Sequence, residues 1–174
     1  MKGANVAKRI ILTTMLTIFA AAFFSPAAET GQFFFMKNEN VGKEVRDFTL
    51  KMLNGGETNL QKYREGKKAI VFFWATWCPH CREALDDMTR QKEAIANKGI
   101  KLVLVDVGEE EGVVDKYVQK QKIDMDVFLD IDSKVSEAYD LIGVPTFYFV
   151  NEHGFVTDVQ HSLPKDLDQA FSKS

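Results

Sequence analysis

Cys78 and Cys81 are the only cysteines among the 174 residues, and they stand three apart in Trp77-Cys78-Pro79-His80-Cys81, directly after the apolar run Ala69–Trp74. Two thiols at this spacing at the start of a helix meet on one face, where the helix amides and dipole favour the thiolate of the first. The chemistry open to such a pair is thiol–disulfide exchange: one sulfur attacks a disulfide and the second closes the ring and releases the partner. Cys78 is the expected nucleophile. Stepping each residue by ~100° places Cys81 in the middle of the apolar stripe Ala84, Leu85, Met88 and Ile95, so Cys81 is the expected shielded partner.

The residues around the pair bear on its potential. Pro79 suits the first helical position, where its missing N–H leaves no bond unmade. His80 is placed to offer a hydrogen bond or positive charge to the Cys78 thiolate, and each pKa unit of such help is ~1.4 kcal/mol, which would make the disulfide more oxidising. Trp77 is expected to form an apolar rim around the sulfur. Arg82 is a second cation beside the dithiol, whereas His153 and His161, near a turn and a strand end, are expected at the surface. No buried carboxylate is evident to take a proton from Cys81, which leaves water or His80. A closed zinc site needs four ligands and neither distant histidine has the spacing for one; Arg82 follows Cys81 where haem attachment needs histidine. The chain is therefore expected to use no metal and no cofactor, although a two-thiolate Cu(I) carrier remains the alternative from another class.

The flanking elements read as one α/β domain. Val45, Phe48, Leu50 and Leu53 suggest an edge strand that turns at Asn54-Gly55-Gly56 into a hairpin. Ala69–Trp74 reads as a central strand covered on both faces, Pro79–Asn97 as a helix stopped by Asn97-Lys98-Gly99, and Ile100–Val107 as a second buried strand. Glu109, Glu110 and Glu111 introduce a helix to about Lys120, where they are expected only to complement its N-terminus. A strand Val127–Asp130, a helix from about Ser133 to Leu141 capped by Asp132, a hairpin of Thr146–Val150 with Phe155–Val159, and a last helix started by Pro164 complete the chain.

That order, with Cys-x-x-Cys at the first strand-to-helix junction, resembles the thioredoxin superfamily from about Val41 to Phe171. Phe48-Thr49-Leu50, Phe73-Trp74-Ala75-Thr76-Trp77-Cys78, Val105-Asp106-Val107-Gly108 and Gly143-Val144-Pro145-Thr146 are similar to the TlpA/ResA-like thiol-disulfide oxidoreductases. The resemblance implies a thioredoxin-like fold, a central mixed sheet flanked by helices with an N-terminal hairpin extension. It further implies a cis Pro145 in a loop lying against the dithiol, and a substrate groove of Val144, Pro145 and Thr146. Two features depart from the pattern. Cys-Pro-His-Cys is the dipeptide of DsbA-like oxidants, and Phe72 and Ala84 occupy the places where thioredoxins carry a buried aspartate and ResA-like proteins a glutamate. The implied partners are protein thiols or disulfides and a redox partner such as a membrane electron donor, the protein itself acting as a monomer. Cytochrome c maturation, general disulfide formation and copper-site thiol maintenance are all jobs of such proteins.

The N-terminus has the layout of an export segment. Lys2, Lys8 and Arg9 precede an uncharged stretch, Ile10–Ala28, that ends in small residues around Ser25-Pro26-Ala27. Its apolar part is short for a bilayer span, but the whole approaches the ~20 residues needed, so residues 1–27 are either a cleaved signal or a retained anchor. The expected organisation is that segment, a linker over 28–40, and a domain over 41–174, located in the periplasm or another extracytoplasmic space. Removing 1–27 moves the net charge from −3 to −6, which disfavours nucleic acid as a partner.

Overall fold

The computed structural model describes residues 38–172; the export segment and most of the linker, with Phe33–Met36, lie outside the described residues. The elements are β1 (Thr49–Met52), β2 (Glu57–Asn59), α1 (Leu60–Arg64), β3 (Lys68–Trp74), α2 (Pro79–Asn97), β4 (Ile100–Val107), α3 (Glu111–Gln121), β5 (Val127–Asp130), α4 (Lys134–Ala138), β6 (Thr146–Val150), β7 (Val156–Gln160) and α5 (Leu167–Ser172). They form a single mixed sheet of seven strands in the order β2-β1-β5-β4-β3-β6-β7. β3, β4 and β5 run parallel, and the other pairings are antiparallel. The expected α/β sheet flanked by helices is therefore the fold observed.

β3 occupies the middle because nothing polar interrupts it after Lys68. Ile70, Phe72 and Trp74 pack with side chains of α2, α3 and α5, while Val71 and Phe73 point to the opposite cluster, which contains Leu60 of α1 and Tyr139 beyond α4. Phe72 stacks on Phe147 of β6 with centroids 4.4 Å apart. A strand buried on both faces is the rigid element that fixes where α2 begins, and with it both sulfurs.

Several expectations at the periphery are corrected. The first strand, β1, is not at the edge; it lies between β2 and β5, and β2 is the outer strand. Its turn is as expected, with Gly55 and Gly56 at φ 91° and 85°. The five-residue α1 was not anticipated: Asn59 caps it by accepting from Lys62 N at 2.7 Å. At its end the buried Arg64 donates to the carbonyls of Lys67, Asn151 and Glu152. Pro164 does not start the last helix, which begins at Leu167 with Asp166 accepting from Asp168 N at 3.0 Å. Asn40, the last residue of the expected linker, is buried and donates to Tyr139 O and Tyr148 Oη. The segment beyond it lies along β7: Gly42 N donates to Val156 O and Val45 N to Gly154 O, each at 2.8 Å, which covers part of an otherwise open sheet edge.

The cap of α4 is Asp130 rather than Asp132. Ser133 turns into the left-handed region at φ 58°, which brings the first turn of α4 back over the end of β5. Val135 N and Ser136 N then donate to the two carboxylate oxygens of Asp130 at 3.1 and 2.7 Å. Asp130 is fully buried and these donors satisfy its two oxygens, whereas Asp132 sits outside, pairs with Lys134 and accepts only the Lys134 amide, at 3.4 Å. Asp130→Ala is expected to cost about 1–2 kcal/mol in urea unfolding and Asp132→Ala no more than about 0.5 kcal/mol; equal losses would refute this assignment of the cap.

Candidate active site

The last residue of β3 and the first of α2 are separated by Ala75–Cys78, and Cys78 is the N-cap of the helix. Its φ of −83° and ψ of 114° are extended, as a cap requires, and Sγ accepts from Cys81 N at 3.2 Å. Cys78 and Cys81 are joined as a disulfide with Cα atoms 5.2 Å apart. Cys78 is 3% exposed and Cys81 fully buried, in one cluster with Trp74, Ala84, Leu85 and Met88. Of the flanking residues, Pro79 occupies the first turn, Trp77 is 65% exposed, and His80 turns outward with its Nδ1 3.5 Å from the Glu83 carboxylate.

The opposite wall comes from the loop before β6. The Val144–Pro145 bond is cis, and Val144 O lies 3.7 Å from Cys78 Sγ. Val144 is half-buried between the two core clusters, while Thr146 is buried and donates from its hydroxyl to Gly143 O at 2.7 Å. Ile142 stands almost fully exposed two residues before Val144. Cys78, Cys81 and Val144 are thus brought together. His80 is in the same stretch but faces Glu83 and solvent.

Two carboxyl groups that sequence reasoning passed over stand behind this loop. Glu109 does not serve its own helix: its carboxylate accepts from Thr76 N at 2.6 Å and Thr76 Oγ1 at 2.7 Å, tying the end of β4 to the loop two residues before Cys78. Asp106 supplies the buried carboxylate that seemed absent. It pairs with Trp74 in the β3–β4 register and shares the inward face with Leu104, toward the helices that include α2. It is fully buried, and neither oxygen has a hydrogen-bond partner. Burial pushes its pKa up to about 8, and the nearby Glu109 and Asp130 carboxylates push the same way. The missed signal was parity: Leu102, Leu104 and Asp106 alternate onto one face of a buried strand, so an aspartate there had to point inward.

A fold of this topology with a helix-capping Cys-x-x-Cys opposite a cis-proline loop defines a thioredoxin-fold dithiol–disulfide exchange protein. The comparisons agree. The model of the AhpC/TSA family matches residues 41–159, and the chain belongs to that family. It is 31% identical over 118 residues to the thiol-disulfide oxidoreductase ResA of Bacillus subtilis, covering 68% of this chain and 65% of that protein. The ResA of Geobacillus kaustophilus is 26% identical over 152 residues, 87% of each. The crystal structure of StoA from Bacillus subtilis superposes with a TM-score of 0.60 at 25% identity, covering 71% of this chain and 92% of that one. Within that family, the chain is similar to thiol-disulfide oxidoreductases of the ResA type, and it spans just under two thirds of the length of the Bacillus subtilis protein. Among the described residues no helix is long and apolar enough to cross a membrane.

The raised pKa of Asp106 has a consequence for stability. Between its unfolded value near 3.8 and its folded value of about 8 the native state holds a proton that the unfolded chain releases, so stability falls as pH rises through this window. Asp106→Asn removes the dependence. In denaturant unfolding of the oxidised protein, the variant's stability relative to the parent is expected to improve by about 2 kcal/mol or more between pH 5 and pH 8.5; a constant difference across that range would show that Asp106 is ordinarily ionised.

Proposed function

We propose that the protein exchanges disulfides with client proteins in an extracytoplasmic compartment, with Cys78 as the attacking sulfur and Cys81 as the resolving one. The observation that carries the reading is the hydrogen bond from Cys81 N to Cys78 Sγ, because a helix N-terminus that donates to a sulfur favours the thiolate, the reactive form. In the reducing direction the Cys78 thiolate attacks a client disulfide, forming a Cys78–client S–S bond and expelling one client thiolate, which takes a proton from solvent. Cys81 then gives up its proton and attacks Cys78 Sγ, forming the intramolecular disulfide and releasing the second client thiolate. Two electrons have passed to the client. The oxidising direction is the reverse, chosen by relative potentials.

The remaining assignments follow from the same geometry. The Cys81 sulfur has no route of its own to water, and Asp106 is the buried acid on the same face of the sheet, so we assign proton exchange with Cys81 to Asp106 rather than to His80: protonated below about pH 8, it gives a proton to the Cys81 thiolate in the oxidising direction, and it takes one in the reducing direction only when ionised. Val144 and Pro145 offer main-chain groups to an extended client segment, which gives recognition without a demand for sequence. Trp77 lends the sulfur an apolar rim, Pro79 pre-forms the first turn, and Thr146 supports the groove. His80, a cation when protonated in the first turn of α2, makes the disulfide more oxidising. Residues 1–27 direct export or anchor the domain, residues 28–40 link it, and the domain works as a monomer alongside a separate redox partner; an acidic mature chain has no part with nucleic acid.

Cys78→Ser is expected to abolish turnover of a model disulfide, and Cys81→Ser to accumulate a client mixed disulfide that survives on non-reducing gels. Stoichiometric Cu(I) binding with little exchange would favour the carrier alternative. A second measurement addresses direction. His80→Pro should lower the reduction potential against glutathione and raise the pH midpoint of Cys78 alkylation; if both values stay put, the histidine only fills a turn.

A further inference from the structure

Beyond the strands and the dithiol, a pair of side-chain contacts converges on the cis-proline loop from His161, which lies at the surface as expected. His161 is the first residue after β7, and the β6–β7 ladder ends at the Phe147–Gln160 pair, so it stands beside Thr146 where the backbone pairing has stopped. Its Nδ1 lies 3.0 Å from Pro145 O and 3.2 Å from Thr146 Oγ1. A carbonyl oxygen only accepts, so the hydrogen is on Nδ1. The Thr146 hydroxyl has committed its own hydrogen to Gly143 O at 2.7 Å, which leaves a lone pair to share the imidazole N–H. The result is a relay from His161 through Thr146 to Gly143 that ties both ends of the Gly143–Thr146 loop.

We propose that His161 is a positioning residue for client binding: its Nδ1–H holds the Gly143–Thr146 loop in the conformation that receives an extended client segment beside Cys78. The inference rests on the reading that Val144 and Pro145 form the client groove. Attack on a disulfide needs the client sulfur in line with Cys78 Sγ, and Val144 O, 3.7 Å from that sulfur, sits in the middle of the stretch that the relay spans. Thr76, in the loop that carries Cys78 itself, is held comparably by Glu109, so the Cys78 loop and the cis-proline loop opposite each have an anchor supplied by a side chain outside them. A protein client that pairs with the loop depends on its shape. A small disulfide, which needs only the sulfur, does not.

The test compares His161→Ala, His161→Asn and His161→Gln in the full chain, with insulin as the protein disulfide and glutathione disulfide as the small one. The asparagine amide reaches about as far as Nδ1 and restores a donor there, whereas the glutamine amide lies one methylene further out. His161→Ala and His161→Gln are expected to raise KM for insulin roughly tenfold with kcat and glutathione-disulfide turnover within about twofold of the parent, and His161→Asn to recover most of the loss. Unchanged insulin KM in the alanine variant, equal losses on both substrates, or no distinction between asparagine and glutamine would each overturn the proposal. Imidazole 15N shifts of the unsubstituted protein supply a readout that needs no variant: the Nδ1–H tautomer is expected, and Nε2–H alone refutes the relay. If the parent chain turned over neither disulfide, the functional reading itself would fail, which is a different result from normal turnover that ignores His161.

Discussion

One hydrogen bond organises the site: a backbone N–H at the third position of a helix pointing at the sulfur that caps it. The first amides of any helix lack intrahelical partners, and a cap normally supplies an oxygen. Here the cap is Cys78, so a donor that would otherwise be left unfilled at the start of α2 points at sulfur. This demands that α2 start at a fixed place, and Pro79 at its first position and the buried end of β3 before it meet that demand. The apolar burial of β3 and the position of Cys78 are consequently linked through the three residues Ala75–Trp77.

That linkage accounts for the use of Glu109. A loop between a rigid strand and a rigid helix still has freedom at its middle, and Thr76 is where it is pinned, through both its amide and its hydroxyl. The anchor is a charged group of the following βα turn, so the ends of β3 and β4, adjacent and parallel in the sheet, cooperate in holding one catalytic loop. The arrangement carries an electrostatic cost that falls on Asp106, which is buried within range of Glu109 and Asp130 and so keeps its proton to about pH 8. An acid retained where an apolar residue would be the easier fit is a common mark of a site that handles protons.

Much of this architecture was legible from residue order because its signals were local and strong. Ala69–Trp74, Pro79–Asn97, Ile100–Val107 and Val127–Asp130 each combine an apolar pattern with a clear start or stop, and the structure places these elements within a residue of where the pattern puts them. The cis bond before Pro145 was reached only through family resemblance, since local preference alone favours trans. What sequence reading missed was tertiary. Asp130 rather than Asp132 caps α4 because Ser133 adopts a left-handed turn, and α1 was hidden because five residues carry too little periodicity to register. Glu109 was read as serving its own helix, the usual role of an acid in that position, and only the loop facing it in space reveals another.

Polar groups at this site divide by where their partners come from, and this decides which of them can be read locally. Cys78 finds its donor three residues away, so helix-capping rules suffice to place it. Glu109 reaches back 33 residues and His161 reaches 15 and 16, in each case across neighbouring strands of the sheet. Strand adjacency therefore does more than hold the core together: it brings the ends of β4 and β7 to loops that precede α2 and β6. A substitution at either anchor would leave both cysteines and the apolar core intact while freeing one wall of the groove, so precise placement of Cys78 against a client is a property of the sheet's order as much as of the Cys-Pro-His-Cys segment.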